Sequence, residues 1–225
     1  VTSLVLAGLL FIAIHLLVSG TTLRGAVVQR TGEGPFQGLF SLVSLASIIW
    51  LCTAYGRAGH IDLWQPIEAA RLAMAPVMGF AFLLAAIGLT TPSPTATGGE
   101  ARLHQPDPVK GILRVTRHPF LWGVTLWAAM HLLVNGDAAS AVLFGTFLIV
   151  AVLGPPSIDA KRKKRFGVAW DRFAEATSNL PFAAIAQGRN TLQVRELGWW
   201  RVVLGLLLFA AFLHFHARLF GVPAV

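Results

Sequence analysis

Arg117-His118-Pro119-Phe120-Leu121-Trp122-Gly123-Val124-Thr125-Leu126-Trp127-Ala128-Ala129-Met130-His131-Leu132-Leu133-Val134-Asn135-Gly136-Asp137, followed by the apolar run Ala138–Leu153, decides the fold. Proline suits the first turn of a helix, where its missing N–H is not needed. From Pro119 to Val134 the only ionisable side chain is His131. Asn-Gly-Asp makes a tight turn, and Asp137 can cap the helix that follows. Two apolar helices joined by so short a turn must form an antiparallel hairpin. A helix that is apolar on every side belongs in a hydrophobic interior or a membrane.

The composition selects the membrane. Of the 225 residues, 55 % are hydrophobic and 12 % charged, where soluble domains carry about 25 % charged residues. The mean hydropathy is +0.67. A lone cysteine, Cys52, excludes a disulfide framework or a thiolate metal site within one chain. The net charge of +8 fits loops facing anionic lipid headgroups better than nucleic acid. Zinc-finger spacing, a P-loop and a dinucleotide fingerprint are all absent from the sequence.

Outward from the hairpin, four more apolar runs read as spans. Val1–Val18 contains one ionisable residue, His15. It has no basic leader and no small-residue cleavage site, so it reads as a retained helix. Phe36–Tyr55 carries Gly38, Ser41, Ser44 and Ser47 at every third position, a stripe that lets another helix approach closely. Arg71–Leu89 contains Pro76, and a last span runs from Trp199 to about Phe215. A polar, basic connector covers Glu100–Thr116. In the segment 159–182, Lys161-Arg162-Lys163-Lys164-Arg165 precedes Phe166, Trp170 and Phe173, which share one helical face. This predicts an amphipathic helix at the cytoplasmic membrane surface. The expected fold is all-α: a polytopic transmembrane helical bundle of about six spans, in a single domain over residues 1–225. With six spans, 15 of the 18 Lys and Arg residues fall on one side, and the positive-inside rule places both termini outside the cytoplasm.

The chemistry concentrates on histidines. His15 and His131 lie inside spans, where an ionisable group is costly and usually has a partner. Imidazole is also a common haem and metal ligand, and two histidines from different helices can clamp one iron. The structural alternative is that each bonds a carbonyl or hydroxyl on a neighbouring helix. His131 lies ~18 Å beyond Pro119 by helical rise, whereas His15 lies nearer the middle or inner half of its own helix. His118, between Arg117 and Pro119, reads either as a second polar ligand or general acid/base, or as an interfacial helix-start residue. Asn135 and Asp137 can orient His131, although capping alone explains Asp137. Trp122, Trp127, Trp199 and Trp200 read as interfacial or packing aromatics.

The Arg117–Gly123 stretch resembles the NnrU family of bacterial membrane proteins, together with Leu126-Trp127-Ala128, His131-Leu132-Leu133 and Asn135-Gly136-Asp137. So do His15 with Arg24, Gly32-Glu33-Gly34, Asp159-Ala160-Lys161-Arg162, Thr177–Phe182 and Gly198-Trp199-Trp200-Arg201. That resemblance implies a multi-pass protein of the bacterial inner membrane, associated with nitrite and nitric oxide reduction and partnered by the denitrification reductase machinery. The family is similar in turn to the 15-cis-ζ-carotene isomerases, which use haem b. This implies His15 and His131 as ligands, while Arg117 and His118 are cofactor-binding candidates at the cytoplasmic mouth of the helix that carries His131. Those isomerases have a cysteine three residues before the second histidine, where this chain has Ala128. Arg117-His118-Pro119 with Phe166-Gly167, Trp170 and Leu180-Pro181 also resembles isoprenylcysteine carboxyl methyltransferase-like enzymes. Their acidic pair is replaced here by Asp159-Ala160. The expected function is thus a haem-b membrane protein of redox or isomerase type. The alternatives are an S-adenosylmethionine-dependent methyltransferase and a non-enzymatic assembly or transport factor.

Overall fold

Each of these apolar runs forms a helix in the computed structural model, which describes residues 1–224. Helix α1 (Thr2–Ile12) continues as a π-helical stretch, Ala13–Val18, and α2 spans Thr22–Thr31. Thr21 caps α2, its hydroxyl accepting from the Leu23 amide at 3.3 Å. The chain turns by 79° between Thr2–Val18 and Leu23–Thr31. Then come α3 (Glu33–Gly56), α4 (Glu68–Thr90), α5 (Pro119–Asn135), α6 (Ala138–Phe166), α7 (Val168–Ala176), α8 (Ala183–Ala186) and α9 (Trp199–Phe220). No strand occurs among the described residues; Asp62 and Asp137 form an isolated bridge.

The span count differs from the six read in the sequence. Among the described residues, α3, α4, α6 and α9 are each long and apolar enough to cross a bilayer, and the bent α1–α2 pair can supply a fifth span. Helix α5 has 17 residues, short of the ~20 that a span needs. Helix α6 is longer than read, at 29 residues. Pro155 and Pro156 lie inside it, beyond the end read at Leu153. Proline removes an amide donor but does not stop a helix whose neighbours satisfy the freed carbonyls, as membrane helices often allow.

The chain forms two compact units: Val1–Arg71 with Ala128–Ser157, and Leu72–Trp127 with the chain from Ile158 onward. In the first, α1 packs on α3, and the Trp50 indole donates to Ser3 at 3.0 Å. The Asn-Gly-Asp turn is laced to the loop before α4. Leu63 and Trp64 amides donate to the Gly136 carbonyl (2.8 and 3.0 Å), and Ala138 donates to Ile61 (2.9 Å). Asp137 caps α6 by accepting the Ser140 amide at 3.0 Å, so the capping reading holds.

In the second unit, α4 and the start of α5 pack backbone to backbone. A Cβ on Gly123 would lie 2.7 Å from the Ala81 carbonyl oxygen. The connectors on either side of the spans form a cap. Leu103, Val109 and Leu113 pack with Trp170 and Phe173, and Phe166 lies against this cluster. The amphipathic segment is therefore present, but it is divided at Gly167 (φ +50°) and its aromatic face closes on the connector.

Gly123→Leu should lower stability by about 2 kcal/mol through overpacking. Gly145→Ala, with nothing within 4 Å of the added Cβ, should be neutral or slightly stabilising. Denaturant unfolding in detergent micelles measures both.

Candidate functional site

Two constellations hold the sequence-derived candidates. The first lies where the connector enters α5. Segments 115–118 and 178–182 are laced by backbone bonds from Arg117 to Ser178 (3.0 Å) and from Phe182 to Val115 (2.8 Å). The Thr116 hydroxyl and Trp122 indole both donate to the Asn179 carbonyl, at 2.6 and 2.7 Å. This places Arg117 and His118 against the C-terminal part of α6.

There a single carboxylate accepts from both. Arg117 Nε donates to Asp159 Oδ2 at 3.0 Å, and His118 Nε2 lies 2.7 Å from Oδ1. Arg117 Nη1 also donates to the Ala174 carbonyl and the Thr177 hydroxyl, each at 3.0 Å. The His118 side chain is 1 % exposed, Arg117 13 % and Asp159 22 %. Burial lowers the Arg117 guanidinium from its ordinary value, and Asp159 opposes that shift; an arginine stays charged regardless. His118 is thus a buried, carboxylate-bonded residue, not an interfacial one, and both candidates are committed to Asp159. Sequence reading missed the pairing, although Asp159 was visible as the acid next to the basic run.

A second clamp closes the same cap. Arg114 grips Glu196 through Nε (2.8 Å) and Nη2 (3.1 Å), and the Gly111 amide adds a bond at 2.9 Å. The Arg114 hydrogen bond holds the Glu196 carboxyl below the usual carboxylate range, helped by Gly111 and opposed by burial.

The second constellation lies in the first unit. His15 sits in the π-helical stretch, a local geometry frequent at functional sites. Its Nδ1 lies 2.8 Å from the Phe11 carbonyl oxygen. A carbonyl can only accept, so Nδ1 carries the proton and Nε2 presents a lone pair. Among the described residues that lone pair meets only the Ser44 hydroxyl, at 3.4 Å, the long end of hydrogen-bond range. Phe11 and Phe40 wall the ring, with centroids at 4.1 and 5.2 Å. A histidine that ligates a metal usually donates its other N–H to a carbonyl or carboxylate in this way. Nε2 of His15 therefore fits the donor chemistry of a haem iron.

His131 stacks on Phe144, with centroids 4.6 Å apart. Phe147, one turn along α6, meets Phe11, which covers His15. His131 directly, and His15 through Phe11, thus each reach a phenylalanine of α6. Ala128, where the similar isomerases have cysteine, is fully buried and offers no ligand. Among the described residues, no cluster of three or more His, Cys, Asp or Glu forms a metal site.

The family model described as NnrU protein matches residues 3–224. The chain is 28 % identical over 194 residues to the chloroplastic 15-cis-zeta-carotene isomerase of Arabidopsis thaliana, covering 82 % of this chain and 50 % of that protein. It is 33 % identical over 82 residues to the chloroplastic 15-cis-zeta-carotene isomerase of Zea mays, covering 36 % and 22 %. The chain spans at most about half the length of these relatives. No solved structure matches it.

Asp159→Ala should cost about 3 kcal/mol, because it strands a buried guanidinium, and Asp159→Asn should cost less; unfolding in detergent measures both. Glu196 stabilises the fold at pH above its unfolded-state pKa. That contribution is lost as pH falls through the depressed folded value. Melting temperature should therefore drop more steeply below about pH 4.3 in the wild type than in Glu196→Gln.

Proposed function

The chain belongs to the NnrU family, and from that premise we propose that it is a membrane-embedded haem-b protein of isomerase type, acting on an elongated polyene. The observation that carries the reading is His15, whose tautomer is fixed by the Phe11 carbonyl and whose Nε2 lone pair is left nearly unused inside an apolar helix. The substrate class follows from the printed names of the two plant relatives.

His15 would hold the iron through Nε2, with His131 as the second ligand of the proposed pair. Bound haem supplies a redox-active iron able to exchange electron density with a conjugated chain. The protein's own contributions are distinct. The Phe11 carbonyl keeps the proton on Nδ1 and turns the ring, which also raises the basicity of Nε2. Phe11 and Phe40 pack against the imidazole. Ala128 makes a thiolate exchange at the iron impossible at that position.

The proposal places the chain in a bacterial inner membrane, beside nitrite and nitric oxide reduction. If the 17-residue α5 crosses as a short sixth span, the basic connectors face the cytoplasm and both termini face the periplasm. The methyltransferase-like alternative draws no support from Arg117 and His118, which are both held by Asp159.

Absorption spectra of the detergent-purified protein, oxidised and reduced, test the reading. A Soret band is expected after haem supplementation, lost in His15→Ala and altered from low spin toward high spin in His131→Ala. No band in the supplemented wild type, or a band unchanged by His15→Ala, sinks the assignment. An unchanged spectrum in His131→Ala leaves His15 as ligand and removes His131.

A further inference from the structure

A cleft of about 770 Å³ opens in the second unit, where the connector before α5 meets α7 and the 188–191 loop. Its lining is of two kinds. Leu103, Val109, Ala169 and Ala176 form an apolar part. The polar part carries three guanidiniums, Arg114, Arg172 and Arg189, against the one carboxylate of Asp107.

These cations are not equivalent. Arg114 is clamped to Glu196. Arg189 donates to the carbonyls of Glu175 and Thr177, closing the C-terminal end of α7. Arg172 is exposed and makes no hydrogen bond or ion pair among the described residues. It is the cation left for a ligand.

Asn190, which also lines the cleft, supplies the second half of the signal. Its amide nitrogen donates to the Ala176 carbonyl at 2.6 Å and the Arg114 carbonyl at 3.3 Å. Two carbonyl partners fix which end of the amide is nitrogen, because a flipped amide would set oxygen against oxygen. Its Oδ1 is then a buried acceptor with no donor. Buried acceptors are seldom left so.

We propose that this cleft binds the headgroup of an anionic phospholipid bearing free hydroxyls, of the phosphatidylglycerol kind. The phosphodiester meets Arg172 in a charge-assisted hydrogen bond. Asn190 Oδ1 is covered in this structure, so a headgroup hydroxyl donates to it once the 188–191 loop shifts to uncover it. The apolar lining receives the start of the acyl region, which favours an amphiphile over free phosphate. Charge selects the same class: one unpaired guanidinium suits a monoanionic diester.

Native mass spectrometry of the full chain in lipid-depleted detergent tests this with dioctanoylphosphatidylglycerol, dioctanoylphosphatidylcholine, dioctanoylphosphatidylmethanol and inorganic phosphate. Phosphatidylglycerol should bind about tenfold more tightly than phosphatidylcholine, and Arg172→Gln should remove most of that preference, as loss of a charge-assisted contact predicts. Arg172 is exposed, so the variant keeps its fold, and Lys164→Gln, an exposed change outside the cleft, should leave binding unchanged. Phosphatidylmethanol, which lacks the hydroxyls, should bind more weakly than phosphatidylglycerol. Binding indifferent to Arg172→Gln overturns the site. Equal affinity for inorganic phosphate overturns the lipid source, and equal affinity for phosphatidylmethanol overturns the role of Asn190.

Discussion

One carboxylate, Asp159, accepts from Arg117 and from His118 at the C-terminal part of α6. Much of the second unit depends on it. The connectors on this side carry most of the basic residues, and besides the apolar cluster around Phe173 they need their buried charges matched. A buried guanidinium without a counter-charge would be costly. Asp159 supplies that charge, and His118 takes its other oxygen. The carbonyl of Ala174 and the hydroxyl of Thr177 then fix the Arg117 fork from the α7 side. The result ties the start of α5, the end of α6 and the end of α7 to one point. Arg114–Glu196 repeats the logic nearer α9.

The helices themselves answer to a different constraint. In hydrocarbon there is no water for an unpaired amide or carbonyl, so the backbone must satisfy itself within each span. That made the fold class legible from composition and run length. The turn at Asn135-Gly136-Asp137 was legible too, because capping chemistry is local and written in adjacent residues. Boundaries were less so. Helix α6 runs past Leu153 through Pro155 and Pro156 into the basic run, because what tolerates two prolines in a helix is its surroundings and not its local sequence. The break at Gly167 was hidden because Phe166, Trp170 and Phe173 keep helical spacing across it.

The candidate sites divided along the same line. His15 and His131 stood out because an imidazole in an apolar run is anomalous by itself. That His15 lies in a π-helical stretch and donates back to Phe11 depends on a ring orientation no periodicity reports. Asp159 is 41 and 42 residues from its two partners. Pairing over that distance leaves no spacing rule in one sequence, so Arg117-His118-Pro119 gave no sign of the latch it forms with Asp159.

Polar satisfaction separates latch from site. At Arg117, His118 and Asp159, opposite charges and hydrogen bonds meet within the protein, and the network does its work by closing. At His15 the inner nitrogen is bound to a carbonyl while the outer lone pair has one long contact. Desolvation makes such incompleteness expensive, because a buried group that has lost water and gained no partner raises the energy of the folded state. In a membrane chain with so few ionisable residues, that sparsely used lone pair is what the haem proposal rests on. The same argument ranks Asn190 Oδ1 above the exposed lysines of the basic run. Lysines in water lack nothing, whereas a buried oxygen held in place by two carbonyl bonds to its own amide still lacks a donor.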